Sequence, residues 1–307
     1  MTFSKGLAFN SHNNGTCTLS GIGTCKDTII NIPPISPIGD IVTGIAHEAF
    51  YRCTELTSIT IPQSVIEIGR YAFSDCINLN SITIPDSIVE INFGVFEGCT
   101  KLTSITIPDS VKKILGHAFY GCTNLVSITI PNSVTDIREA TFAECSSLTS
   151  ITIPNSITKI GKRAFAECKN LTSVSIPESV TEICNQAFFG CVNLISIIIP
   201  EGVTKIDGYT FYGCRRLNSV TIPESVNRIC EHSFDGCISL TSVIFPKRLA
   251  RIEGYAFYGC TYLTSITIPE SVIKIATGAF QCCSNLVKIN ISESVIVDDY
   301  AFNDVFD

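Results

Sequence analysis

"SLTSITIPNS", residues 147–156, recurs with few changes as "KLTSITIPDS" at 101–110 and as "YLTSITIPES" at 262–271. Working outward from these ten residues exposes a fixed step. Phe50, Phe73, Phe96, Phe119, Phe142, Phe165, Phe188, Phe211, Phe234, Phe257 and Phe280 stand 23 residues apart, and Phe302 follows after 22. Cys53, Cys76, Cys99, Cys122, Cys145, Cys168, Cys191, Cys214, Cys237, Cys260 and Cys283 keep the same step, as do leucines from Leu56 to Leu286. Self-similarity at a period of about 20–50 residues marks a solenoid or array. The length of 307 residues, which alone suggests about two domains, therefore reads as one repeat array.

A single coil explains why the unit repeats. Leu148, Ile151 and Ile153 have the L-x-x-I-x-I spacing of a short strand that points alternate residues inward, leaving Ser150 and Thr152 outside. Pro154 has no N–H for a ladder and ends the strand. Asn155 and Ser156 form the corner, and Ile157 and Ile160 return to the core. Ala164, Phe165 and Cys168 follow at near-helical offsets, which predicts one helical or 3-10 turn. No such coil can bury its apolar side alone, whereas a stack of coils makes one continuous core.

The unit A-F-x-x-C-x-x-L-x-S-I-T-I-P-x-S-V-x-x-I, as in Ala118 to Ile137 ("AFYGCTNLVSITIPNSVTDI"), resembles the BspA-like leucine-rich-repeat family of 23-residue treponemal and protozoan type. The resemblance covers about Ile41 to Phe302, and Gly15 to Pro33 is similar to the leader before such arrays. It implies a right-handed leucine-rich-repeat solenoid and a binding role in cell-surface adhesion, as a surface antigen, with a cell-surface or secreted location. The expected organisation is a cap and linker over 1–40, the array over 41–302 and an acidic tail over 303–307. "LAF" and "TCTLS" flanking "NSHNNG" predict a β-hairpin within that cap.

Composition narrows the alternatives. A net charge of −7 argues against nucleic acid or an anionic membrane as partner. The start, "MTFSKGLAFNSHNNGTC", lacks the continuous apolar stretch of a secretory signal, and no run approaches a membrane span. Taken alone, those features read as cytoplasmic, against the location implied by the resemblance. The sixteen cysteines fit the same two readings. Disulfides need an oxidising compartment. Yet a cysteine column facing the core reads as buried free thiols, because cysteine behaves as a small hydrophobe. Cys17 and Cys25 in the cap leave pairing open.

Catalytic chemistry finds no candidate. The four histidines are His12, His47, His117 and His232; the last two share one repeat position five coils apart. The serine column Ser58, Ser81, Ser104, Ser127, Ser150 and Ser173 has no neighbouring base. Phosphate loops, metal-ligand spacing and paired carboxylates are missing from the sequence, so no enzyme activity, cofactor or metal is expected. A monomeric, non-enzymatic scaffold for a protein or glycan ligand is the leading expectation, and an intracellular interaction module is the alternative. A further alternative is recognition of a regular, ice-like surface by the Ser-x-Thr array.

The candidate partner-binding face is the outward side of the first strand: Thr60, Thr83, Thr106, Thr129, Thr152, Ile195, Ile198, Thr221, Ile244 and Thr267. Threonine there fits a pleated surface by propensity alone, so the isoleucines carry more information. Aromatic residues after the Phe column (Tyr51, Tyr120, Phe189, Tyr212, Tyr258) form a second strip. An acidic column (Asp86, Asp109, Glu178, Glu201, Glu224, Glu270) stands beside a basic set (Lys205, Arg228, Arg251, Lys274), predicting weak exposed ion pairs.

Overall fold

The computed structural model describes residues 2–305. The chain winds as a parallel β-solenoid of about 12 turns of about 23 residues. It forms two compact units, Met1–Leu148 and Thr149–Asp307.

The first unit opens on the predicted hairpin. β1 (Ala8–Ser11) runs antiparallel to β2 (Thr16–Gly21), and β2 pairs parallel with β4 (Ile41–Ile45). β3 (Ile29–Asn31) lies in register with Ser58–Thr60, which pairs in turn with Ser81–Thr83. Two strand positions therefore recur in the coils. The first is the predicted S-I-T strand. The second is a two-residue strand such as Glu90–Ile91 against Lys113–Ile114. In the second unit both positions persist, with Ser173–Ser175 beside Ser150–Thr152 and Ser219–Thr221 beside Ser196–Ile198. The second position there builds a run of Lys205–Ile206, Arg228–Ile229, Arg251–Ile252, Lys274–Ile275 and Ile296–Val297.

The inward columns are as the sequence predicts. In one coil Leu102, Ile105, Ile107, Val111, Ile114, Ala118, Phe119 and Cys122 are all buried. Their phenylalanines stack: Phe96 and Phe119 have centroids 5.5 Å apart, and Phe119 and Phe142 5.6 Å apart. The cysteines are free, and all of the column except Cys53 is buried. Each buried thiol does more than fill space. Cys76 Sγ donates to the Phe50 carbonyl at 3.0 Å, Cys99 to Phe73 at 3.2 Å and Cys122 to Phe96 at 3.1 Å. The thiol thus supplies a weak donor to a carbonyl of the preceding coil while remaining an apolar filler. Cys17 and Cys25 are also buried free thiols.

The turn around phenylalanine departs from expectation: it contains no helix. The residues two before and two after each phenylalanine are left-handed instead. Tyr71 has φ 55° and Asp75 φ 57° around Phe73; Tyr209 has φ 57° and Gly213 φ 69° around Phe211. Left-handed residues cannot continue a right-handed helix. They turn alternate N–H groups toward the next coil, so Tyr71, Phe73 and Asp75 donate to the carbonyls of Phe93, Val95 and Glu97 at 3.0, 3.0 and 2.7 Å. The turn is a ladder between coils, not a helix within one.

The corner after proline closes on itself. Val111 N donates to Pro108 O at 3.0 Å, and Ser110 Oγ reaches back to the Ile88 carbonyl at 2.8 Å. This explains the serine of the P-x-S-V motif: its hydroxyl satisfies a carbonyl that the strands leave open.

Candidate binding faces

The first-strand face emerges where the sequence places it. In the first unit Thr60, Thr83, Thr106 and Thr129 all point outward and are exposed. Alternation explains this, since the residues on either side, such as Ile59 and Ile61, are buried. In the second unit Thr152, Ile195, Ile198, Thr221, Ile244 and Thr267 are exposed as well. Ile198 is 66% exposed and Ile244 84%, and Ile198 stands directly opposite Thr221 in the register. Two isoleucines thus stand proud of a hydroxyl-bearing surface with no partner from their own unit to cover them.

The turn presents a second face. Its left-handed position carries Tyr209, His232 and Tyr255 in successive coils, stacked with centroids 4.7 and 5.0 Å apart. Phe189 and Tyr212, on the predicted aromatic strip, stack at 4.9 Å. Asp235 occupies the same column one coil on, where its carboxylate meets His232 Nδ1 at 2.8 Å. Burial pushes the Asp235 carboxyl up, partly offset by the His232 hydrogen bond and charge. In the first unit Phe93 and His117 stack at 4.9 Å, with Glu97 3.7 Å from His117. The ring ladder at the left-handed position is absent from the sequence-derived candidates. Its signal is the run Tyr, His, Tyr at one register position, visible once coils are written beneath one another.

The basic set is arranged differently from the sequence expectation. The acids after proline are not its partners. Glu178 and Glu224 instead accept backbone N–H groups of Glu201 and Lys247, at 3.3 and 2.9 Å. Lys205 Nζ binds Asp207 at 3.1 Å in its own coil. Arg228 Nε lies 2.9 Å from Glu253 Oε1, although not aligned as a hydrogen bond, and Lys274 Nζ lies 2.9 Å from Asp298. The acid sits inside the turn that the Val203 N–H closes on the Pro200 carbonyl at 3.0 Å, ahead of the strand that carries the basic residue, so the two side chains diverge around the corner. Asp307, part of the expected acidic tail, lies outside the described residues.

Each unit also carries a cavity beside the second strand. One of about 420 Å³ is lined by residues including His47, Glu67, Arg70 and Asn92. Another of about 360 Å³ is lined by residues including Asn185, Lys205, Asp207, Arg228 and Glu253. Among the described residues no group of three or more His, Cys, Asp or Glu side chains is placed to hold a metal ion, and no helix is long and apolar enough to cross a membrane.

Comparison with known proteins follows the geometry. The family model of the BspA type leucine rich repeat region matches residues 35–148, 89–218, 135–248 and 204–306. A leucine-rich repeat protein from Bacteroides ovatus is 29% identical; the match covers 96% of this chain and 98% of that one, with a TM-score of 0.55. A leucine rich cell surface protein from Faecalibacterium prausnitzii is 28% identical, covers 96% of each chain and has a TM-score of 0.57. The T. pallidum leucine rich repeat protein is 30% identical over 63% of this chain and 90% of that one, with a TM-score of 0.58. No curated protein matches.

Proposed function

The chain belongs to the BspA-type leucine-rich-repeat family, and from that premise we propose that it is a non-enzymatic scaffold that holds a protein or glycan partner at a cell surface. The cell-surface protein of F. prausnitzii, similar over 96% of both chains, supports the location. The observation that carries the reading is the exposure of Ile198 and Ile244, with Ile195 close by, on a strand face made mostly of hydroxyls. Scattered apolar residues on a surface are ordinary. Here, however, the adjacent inward positions are already filled by Ile197, Ile199, Val243 and Phe245, and these two isoleucines are additional apolar residues at the outward one. Buried apolar anchors carry most of the free energy at interfaces, often ~2 kcal/mol or more each. The first-strand residues from Thr152 to Thr267 are the contact surface in this reading. Thr60 to Thr129 present a hydroxyl-only version of it.

The test replaces both isoleucines. Ile198→Asp with Ile244→Asp is expected to leave the circular dichroism spectrum unchanged. Binding to the proteins and glycans that the parent recognises, in a panel of purified extracellular-matrix proteins and on a glycan array, should fall at least tenfold. Glu178→Lys with Glu201→Lys, on the proline corner, is the charge-changing control. Loss of binding in the control but not in the isoleucine pair would move the contact surface off the strand face.

One observation favours a second reading, an intracellular interaction module. All sixteen cysteines are free thiols, as expected in a reducing compartment. Immunofluorescence with and without permeabilisation separates the two, because a surface protein stains in intact cells.

A further inference from the structure

The turn of the cap hairpin holds a reactive pair in the open. Asn14 is the one asparagine of the chain that glycine follows. Both residues are exposed between β1 and β2. Gly15 has φ 82°, and a Cβ built on it would meet nothing within 4 Å. Its carbonyl is held by the Ile41 N–H at 2.9 Å, while among the described residues its own N–H has no acceptor. The Gly15 nitrogen is therefore open to approach on a backbone that is otherwise fixed. The side-chain amide of Asn14 is gripped at its oxygen. The Thr16 N–H donates to Asn14 Oδ1 at 3.1 Å, and the Thr16 hydroxyl donates to the same atom at 2.7 Å. With its proton spent there, Thr16 Oγ1 accepts from His12 Nδ1 at 3.0 Å, and His12 Nε2 accepts from the Thr18 hydroxyl at 2.9 Å. Two donors on one carbonyl oxygen draw electron density from its carbon, and they stand where negative charge develops when a nucleophile adds to that carbon.

We propose that Asn14 is a self-modification site, at which the Gly15 nitrogen attacks the Asn14 side-chain amide and converts it to a carboxylate. Gly15 N gives its proton to solvent hydroxide and bonds to Asn14 Cγ, and the Thr16 donors hold the oxyanion. The Cγ–Nδ2 bond then breaks, and Nδ2 takes a proton from water and leaves as ammonia. A five-membered succinimide remains. Water adds to one of its two carbonyl carbons and opens the ring. Breaking the bond from Gly15 N to Cγ leaves aspartate; breaking the bond to the Asn14 main-chain carbon leaves isoaspartate. One water is consumed, one ammonia is released and nothing is oxidised or reduced. Attack within one residue pair has the proximity of an intramolecular reaction. Other exposed asparagines lack the arrangement. Asn132 and Asn155 precede serines, whose Cβ obstructs the attacking nitrogen. Asn193 and Asn285 precede leucines and are tied through Nδ2 instead, to the Lys169 and Thr261 carbonyls at 2.9 and 2.6 Å. Either product adds a carboxylate to a chain of net charge −7. Isoaspartate also lengthens the main chain inside the turn that His12 N–H closes on the Thr16 carbonyl at 2.9 Å, and so loosens the hairpin. The reaction needs no partner, so it stands or falls apart from the binding faces.

The experiment incubates the full folded chain at mildly alkaline pH and physiological temperature. Mass spectrometry of the proteolytic peptide that contains Asn14 follows the conversion, and an isoaspartate-specific methyltransferase counts the isoaspartate. A synthetic peptide of residues 10–16 is the unstructured reference under the same conditions. The parent is expected to convert Asn14 before any other asparagine and at least threefold faster than the peptide does. Thr16→Val, which deletes the hydroxyl donor and keeps the N–H, should slow conversion at least fivefold. Thr16→Ser, which restores the hydroxyl, should react within twofold of the parent. Gly15→Ala should slow it at least tenfold. Circular dichroism checks the fold of each variant, and the Thr16 pair decides the matter where Gly15→Ala does not fold. The assignment is overturned if Asn14 in the folded parent reacts no faster than in the peptide. It is also overturned if a folded Thr16→Val protein keeps the parent rate, or if another asparagine converts first.

Discussion

The two sides of the phenylalanine turn are built by the same few residues and behave in opposite ways. Inside, phenylalanine and cysteine stand in coil after coil, from Phe50 and Cys53 to Phe280 and Cys283. Outside, two residues away, one backbone conformation is held by Tyr71, Gly94, His117, Ala140, Arg163 and Gln186. The inner side chain must fit identical neighbours above and below, so any change leaves a hole or a clash on both sides. The outer residue must only tolerate a left-handed φ, and its side chain is free to carry chemistry. Packing fixes one side; backbone geometry alone governs the other.

Raising pH tests the inner side most severely. Burial pushes Cys76, Cys122 and Cys283 up to about 12, and drives Cys99, Cys191, Cys214, Cys237 and Cys260 upward as well. A group whose folded pKa lies above its unfolded value contributes stability that is fully present below the unfolded pKa. That stability is lost as pH rises toward the folded value. With unfolded thiols titrating near ~8.5, each such cysteine removes ~1.4 kcal/mol per pH unit above that point. Three of the eight lie in the first unit and five in the second, so the slope is about 4 kcal/mol per pH unit for the one and about 7 for the other when the coils of a unit unfold together, a large fraction of the stability of a typical domain. Urea unfolding followed by circular dichroism should show a steep collapse between about pH 9 and 10. A midpoint unchanged to pH 10.5 would mean that the thiols are not enclosed.

Single substitutions sharpen the contrast at smaller scale. Phe119→Ala removes a ring stacked on Phe96 and Phe142 and should cost ~3–5 kcal/mol through lost burial and a cavity. Because coils contact mainly their neighbours, the loss should broaden urea unfolding of the first unit into more than one transition. On the outer side, Gly236→Ala meets nothing closer than 3.7 Å and pays only for its left-handed backbone. A cost of ~1–2 kcal/mol in urea unfolding is expected. Ser233, fully buried where most coils have alanine, has a hydroxyl with no hydrogen-bond partner. Ser233→Ala should therefore stabilise by ~1 kcal/mol, a gain in thermal midpoint from a deletion. Ile198→Asp with Ile244→Asp should move stability by no more than ~0.5 kcal/mol. A larger loss would place those side chains inside.

The sequence revealed the inner side almost completely and the outer side in part. Period and alternation identify Leu102, Ile105, Ile107, Phe119 and Cys122 as interior, because each is apolar at an inward position. The second strand was harder to see, since two residues such as Lys113–Ile114 are too few to show alternation. The turn was misread as helical because its left-handed residues include Tyr71, Arg163 and Gln186, types that do not signal that conformation. Glycines at 94, 98 and 121 hint at it only when aligned by coil. Ion-pair partners were misplaced because a linear count of four residues ignores the corner between them. Nine of the ten strand-face positions were legible, since exposure there follows from a period of two; Ile195 precedes the strand Ser196–Ile198 and stands outside that alternation.

All the turn donors point the same way along the stack: Phe96 gives its N–H to Ala118, and Phe119 gives its own to Thr141. Each coil therefore has two unlike sides, one of donors and one of acceptors, and is a part that fits in one orientation only. That makes the length of the array editable in whole units. Removing or duplicating 23 residues between equivalent points returns every N–H to a carbonyl; adding 1 residue inside the turn throws each later phenylalanine out of the core. The chain carries its own example of where slack is allowed. Thr267 to Asn290 is a full step and Lys274 to Ile296 is one residue short. The missing residue comes out of the corner between those strands, while Phe280 still reaches the Ala301 carbonyl at 2.8 Å. A gene for such a protein can lengthen or shorten by unequal recombination without inventing a new fold, provided the cuts respect the repeat and small errors fall at the corners.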